Sequence, residues 1–443
     1  MKWITVGNGM PENYETWQKK INEYLAEKIN VKVDVEVNPW GDWDNRRAIV
    51  KNTGTEFDIL FTDYGRYTNA VNLGVFADIT KTVEEQAKSL KEFIPEQYWT
   101  ALKVNDKLYG IPTYKDSSVS LFVNWDKKYV DEFGIDENSV KKLSDMTPFL
   151  EKIKEKTGEP SFVLFEGGAY HMIHGYDLLG TGLKAMGVRY DDKDAKVVPV
   201  FEQEDIMERY KTVHQWYKDG IINQDAVSRK ETAGEYRPVM IAKGWAGAAK
   251  TIWGPNMGME SKAFQLFDTI LSNETAQGSV NAVSANSKHI EEAVKLLETV
   301  NMDSYVRDSF FYGEEGKNWE YTEDKKVHIL EQNFGMAGYT QGTFFNVTQT
   351  DDVDFNQWDE VKELNEKAVV SPSVGFTFNK SKEVEDKLLN CIEIFERFQG
   401  ELFCGVSDPE VVVPKMMEKL RSAGLDDIIA EAQKQVDEFM ASK

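Results

Sequence analysis

The chain has 443 residues, 41% hydrophobic and 12% aromatic, too long for one compact core and rich enough to build at least two. Its 75 Asp and Glu against 52 Lys and Arg give a net charge of −23, which repels nucleic acid and anionic lipid. Two cysteines, Cys391 and Cys404, make neither a zinc site nor a disulfide framework, and no run approaches the roughly 20 apolar residues that span a bilayer.

Met1-Lys2-Trp3-Ile4-Thr5-Val6 opens directly as a strand over Trp3 to Val6, with no signal peptide. This implies a cytosolic protein or a chain from which an export signal has been removed. Tyr14, Trp17, Ile21, Tyr24 and Leu25 recur at helical spacing. Val31 to Val37 alternates as a strand, Trp43 to Lys51 reads as a helix, and Phe57 to Phe61 as a third strand. Such strand–helix–strand units predict an α/β fold with a parallel sheet. Ligands of these sheets gather beyond the carboxyl ends of the strands. Three loops rich in polar and aromatic residues stand at such ends: Asn8 to Glu12, Asn38 to Trp43, and Thr62 to Tyr67.

Further on, Trp99 to Pro112 predicts a hairpin around Asn105-Asp106, and Val119 to Asn124 a strand. A helix is expected over Asp145 to Thr157, then a strand over Ser161 to Phe165 that ends in Glu166-Gly167-Gly168-Ala169-Tyr170-His171. Gln277 to Ser284 reads as an extended return, followed by a helix over Ser287 to Val300 that Ser287 would cap. The last hundred residues are mostly helical and close on one apolar stripe from Met416 to Met440.

The order of these segments resembles a known family. FDILFTDYGRYTNAVNLGVFADIT, then LKVNDKLYGIPTYKDSSVSLFVNWDKKYV, then MIAKGWAGAAKTIWGP (Met240 to Pro255) are similar to the solute-binding proteins of ABC importers, the family that includes maltose-binding protein. Tyr312 to Tyr321 and Ser371 to Cys391 are similar to a C-terminal region of a Firmicutes lipoprotein subgroup. The resemblance implies two Rossmann-like lobes with a hinged cleft, the type II periplasmic-binding-protein fold. Lobe 1 is expected from residues 1–115 with about 283–330, and lobe 2 from 116–282 with about 331–443. It further implies a monomeric extracellular protein, lipid-tethered in its precursor, that carries an oligosaccharide to the transmembrane subunits of a permease. Such a protein does no chemistry and needs no cofactor or metal.

A saccharide presents weakly polar C–H faces and hydroxyls, so its site needs flat aromatic rings and hydrogen-bonding heads. Carried over by position, Asp63, Tyr64 and Arg66 match the family's ligand loop, Asp116 its crossover acid, and Trp253 a strand-end loop near its stacking tryptophan. Asn8 and Glu12 fall on its first loop, and Glu166, Tyr170 and His171 on an acid–aromatic loop of the second lobe. Thr62 and Tyr64 stand where the maltose protein's loop begins with tryptophan, which leaves the particular sugar open. Trp40 and Trp43 are further ligand candidates, and Phe345 and Asn346 are expected to line the second lobe. Each has a plain rival: Trp253 as core, Asp116 as a cap, Arg66 as a partner of Asp63, Trp40 and Trp43 as cover for a sheet edge.

Other constellations are weaker. His171 and His174 have no third metal ligand nearby. Asp352, Asp354, Asn356 and Glu363 follow a calcium-loop spacing, but Gln357 stands where that loop needs glycine; an acidic turn before a helix explains them as well. No nucleophile elbow, phosphate-binding loop, dinucleotide fingerprint or zinc-protease helix occurs. Two alternatives stay open: a binding protein for a peptide or amine, and a carbohydrate-active enzyme working through two carboxylates.

Overall fold

The computed structural model describes residues 1–53 and 55–443. The chain divides into two units: Met1–Ser117 with Leu271–Asn365, and Ser118–Ile270 with Glu366–Lys443. The second and third crossings thus fall at 270/271 and 365/366, not near 282/283 and 330/331. Pairing explains both shifts. The expected return strand, Val280–Val283, lies inside the first sheet between Ile59–Thr62 and Gly110–Pro112. Residues 336–365 are likewise bound to the first unit, as when the Tyr98 hydroxyl donates to Asn365 O at 3.2 Å.

In the first unit, β1 (Lys2–Gly7), α1 (Tyr14–Ile29), β2 (Asp34–Pro39), α2 (Trp43–Thr53) and β3 (Ile59–Thr62) follow one another. Trp3, Ile4 and Val6 are fully buried, and α1 buries Trp17, Ile21 and Leu25, three members of the helical stripe of the sequence, with Trp17 edge-on to Phe310. Asn30 ends that helix in the left-handed conformation, with φ of 56°. The sheet runs β2-β1-β3, then Val280–Val283, then Gly110–Pro112. β1 is parallel to β2 and β3, but Val280–Val283 is antiparallel to both its neighbours, so the sheet is mixed and not all parallel. The hairpin shrinks to a two-residue turn: Trp99 lies in the helix Glu96–Leu102, and only Val104 and Lys107 pair across Asn105-Asp106. Ser287 does not cap the next helix, Ile290–Met302; its hydroxyl donates to Asp58 Oδ1 at 2.5 Å.

In the second unit, the strand Val119–Asp126 is flanked antiparallel by Ser261–Leu271 and Val239–Lys243, a departure from a Rossmann-like parallel arrangement. Ser161 to Phe165 forms no strand. Only Phe162 bridges to other segments, and the Asn223 side chain takes both the N–H and the carbonyl of Leu164. The helices Lys382–Phe403, Pro409–Ser422 and Leu425–Ser442 close the unit, with the expected single C-terminal stripe broken at Gly424, φ 103°. Leu388, Phe395, Met416 and Ile428 join Phe201, Tyr210 and Val213 in one core. Cys391 and Cys404 are buried free thiols, each pushed up to about 11 by burial. Among the described residues no helix is long and apolar enough to cross a membrane.

Candidate ligand-binding site

The loops after β1, β2 and β3 leave the sheet at the same end, because the three strands are parallel and Gly7 stands opposite Pro39. A fourth segment joins them that the sequence did not announce, the turn Gly338–Thr340. Gly7 bridges Met336, and Asn8 N donates to Gly335 O at 2.7 Å. A Cβ on Gly7 would lie 2.2 Å from Gly335 O, so only glycine permits this crossing. The turn is then pinned from below. Asn281 Nδ2 donates to Thr340 O at 2.9 Å, and the fully buried Arg307 donates through Nε to Thr343 O at 2.8 Å and through Nη2 to Gly338 O. Burial among carbonyls holds the Arg307 guanidinium well below its ordinary pKa.

This scaffold presents Tyr339. Its ring lies nearly parallel to Trp40, 15° apart with centroids 6.2 Å apart, and meets Phe61 edge-on. Lys115 Nζ sits 5.4 Å from the ring centroid. Burial first, then the carboxylates of Asp63 and Asp116, pushes the Tyr339 phenol up to about 12. Trp40 is 48% exposed, so an aromatic face, two carboxylates and an ammonium are gathered on one surface of the unit.

The predicted residues separate accordingly. Asp63 accepts from Arg47 at 2.8 Å and from Arg66 at 3.1 Å, so Arg66 takes the loop-stiffening role of its plain reading while remaining half exposed. Asp116 is exposed and pairs with Lys115 at 2.5 Å. Asn8 and Glu12 are exposed at the end of β1, and Tyr64 is half-buried. Trp43 is corrected to core: it is 4% exposed, between Phe61 and the Arg47 guanidinium. Phe345 and Asn346 belong to the first unit, not the second. Phe345 packs on Tyr114, and Asn346 Nδ2 donates to Asn301 O at 2.7 Å, so both brace the segment. Asn356 Oδ1 accepts from Trp358 N at the head of the helix Gln357–Lys367, which gives Asn356 a capping role.

In the second unit, Tyr170 and His171 share the short helix Tyr170–Ile173, with ring centroids 3.7 Å apart. Tyr170 is exposed, and Lys243 Nζ stands 5.9 Å from its ring. His174 stacks on Phe267 and donates from Nε2 to Asp268 O at 2.8 Å. Arg209 covers the same Phe267 and donates to the carbonyls of Met172 and His174 at 2.9 and 2.7 Å. Glu166 is exposed and paired with Lys230. Trp253 is half-buried over Gly244, where a Cβ would come within 2.8 Å of its ring. Tyr339, Lys115, Arg47, Arg209 and Lys243 are the members of these two surfaces that sequence reasoning missed. Among the described residues no three His, Cys, Asp or Glu side chains gather at metal-holding distance.

Burial, then the Lys243 and His174 charges, pulls His171 down to about 3, and burial pulls His174 down to about 4. Both stay neutral in the folded protein, while the unfolded chain protonates them near pH 6.5. Their stabilisation is therefore complete above that pH and is lost as pH falls from about 6.5 toward about 4 for His174 and about 3 for His171. At pH 5 the loss is expected to be about 1–2 kcal/mol per histidine, discounted for partial exposure. Urea unfolding at pH 7.5 and 5.0 checks this. The pair His171→Gln and His174→Gln is expected to flatten the difference, and an unchanged slope would assign the acid sensitivity to other groups.

The model of the bacterial extracellular solute-binding proteins matches residues 7–305, and the chain belongs to that family. A domain of unknown function (DUF3502) matches residues 372–441. Among relatives, a carbohydrate ABC transporter substrate-binding protein of Streptococcus pneumoniae is 27% identical across all of this chain and 91% of its own length. The crystal structure of the N-glycan transport solute-binding protein of that organism superposes with a TM-score of 0.89 at 25% identity, covering 100% of this chain and 99% of the other. Its complex with Man5GlcNAc gives 0.75 at 26% identity over the same shares. The α/β fold is thus that of a carbohydrate ABC transporter substrate-binding protein.

Proposed function

We propose that this protein is the extracytoplasmic substrate-binding component of an ABC importer, and that it captures an oligosaccharide and delivers it intact to a permease. The observation that carries the reading is the exposed Trp40 stacked on Tyr339 beside the carboxylates of Asp63 and Asp116. Flat rings take the C–H faces of a sugar and carboxylates take its hydroxyls. Tyr170, His171, Lys243 and Trp253 supply the same kinds of group on the second unit.

In this reading the protein is a monomer without catalytic activity, held at the cell surface by a lipid on its precursor. The relative crystallised with Man5GlcNAc makes mannose-containing N-glycan fragments the first ligands to try. Calorimetric titration of the whole chain with Man5GlcNAc, shorter fragments and unrelated neutral oligosaccharides tests it, with the sugar recovered afterwards. One saturable, unaltered ligand is the expected result. Silence across the panel together with binding of a peptide or amine would overturn the sugar assignment, and cleaved sugar would make the protein an enzyme.

A further inference from the structure

The loop Glu166–His171 is fixed by residues far away in sequence. Ala169, the residue before Tyr170, donates its N–H to Phe403 O at 2.8 Å and accepts the Tyr210 hydroxyl on its carbonyl at 3.3 Å. The two residues that take it are themselves stacked, Phe403 on Tyr210 at 5.4 Å and 11°. Gly168 is backed directly against the same turn. Its φ is +54°, and a Cβ there would lie 2.5 Å from the Phe403 carbonyl and 2.8 Å from Cys404 N. Cys404 Sγ reaches Phe165 O at 3.8 Å. The turn is held in its own right from the other side. Gly405, φ +76°, abuts Val213 so closely that a Cβ would be 2.5 Å from its carbonyl, and Gly405 O bonds the His214 ring at 2.7 Å. His214 and Tyr210 lie on the helix Glu204–Lys218, whose Arg209 holds the carbonyls of Met172 and His174.

We infer that the turn Phe403-Cys404-Gly405, inside the C-terminal region of unknown function, positions the loop that carries Tyr170 and His171. The region then shapes the ligand-contacting surface of the second unit instead of serving as a separate module. Phe403, through its carbonyl and ring, and Gly168, through its lack of a side chain, are the positioning residues. They act on ligand through the loop and do not touch it. The inference rests on the reading of that loop as ligand-contacting.

Two measurements on the full-length chain separate the two. Amide hydrogen exchange follows residues 168–172 without ligand, and calorimetry follows Man5GlcNAc. In Phe403→Leu and in Gly168→Ala, exchange of the loop amides is expected to rise at least tenfold and the Kd for the glycan to rise about tenfold. Leu388→Ala, a core change in the same helical region, serves as the control. It is expected to lower the melting temperature while leaving loop exchange and Kd unchanged. The inference is overturned if both loop variants keep the loop's protection, or if Leu388→Ala disturbs the loop as much as they do. It is also overturned if protection is lost and the Kd stays the same. A wild-type chain that binds none of the oligosaccharides would defeat the sugar reading, and exchange alone would then decide whether the turn orders the loop.

Discussion

Tyr339→Ala is expected to weaken oligosaccharide binding by about 2 kcal/mol, roughly 30-fold in Kd, with little change in folding stability. The ring stacks on Trp40 and feels the carboxylates of Asp63 and Asp116, so its removal unsettles the exposed indole as well as the surface. Tyr339→Phe keeps the stack and is expected to stay within about threefold of wild type, since the ring and not the hydroxyl does the supporting. Trp40→Ala is expected to cost about as much as Tyr339→Ala. The double variant should cost less than the sum, because residues in contact do not contribute independently. Calorimetry on the four proteins settles the matter. A Tyr339→Ala protein that binds with wild-type affinity would remove Tyr339 from the site.

Arg307→Ala is expected to be the most destabilising of the substitutions considered, by about 3–5 kcal/mol. It empties a fully buried volume and strands the carbonyls of Gly338 and Thr343, which then have no donor. Because those carbonyls flank Tyr339, the turn should loosen together with the fold. Urea denaturation monitored by tryptophan fluorescence reads the loss directly. An unchanged midpoint would mean that the two carbonyls find other donors and that the guanidinium is dispensable.

Much of the first unit was legible because its signals are local. The Trp17–Ile21–Leu25 stripe and the valines of β2 follow the periods of a helix and a strand. The loops at the strand ends could be named because parallel strands put their carboxyl ends on one side. What escaped depended on contacts between distant residues. Tyr339 lies in an irregular stretch without periodicity, held in place by the Gly7–Gly335 crossing at β1, by Asn281 and by the buried Arg307. Arg47 reads as one more charge on a helix, yet it is buried between Trp43 and Asp63. Ser161 to Phe165 has the composition of a strand, but a side chain of the Ile221–Asp225 stretch, that of Asn223, occupies the hydrogen bonds a ladder would use. The pair Trp40 and Trp43 shows the same limit: three residues apart in sequence, one faces solvent and the other is core.

The threading of the chain bears on how the protein can be made. The second unit begins at Ser118 but needs Glu366–Lys443 to finish, with the whole of Leu271–Asn365 intervening. Its core joins Phe201 and Tyr210 to Phe403 and Leu420, pairings separated by about two hundred residues. Closing loops of that length is slow, so such contacts form late. The nascent chain therefore emerges without a completed second core and reaches it only after Glu366–Lys443 is available to pack. A chain of an extracellular family, if exported before it folds, gains from that delay the interval in which it is still able to be threaded through a narrow channel.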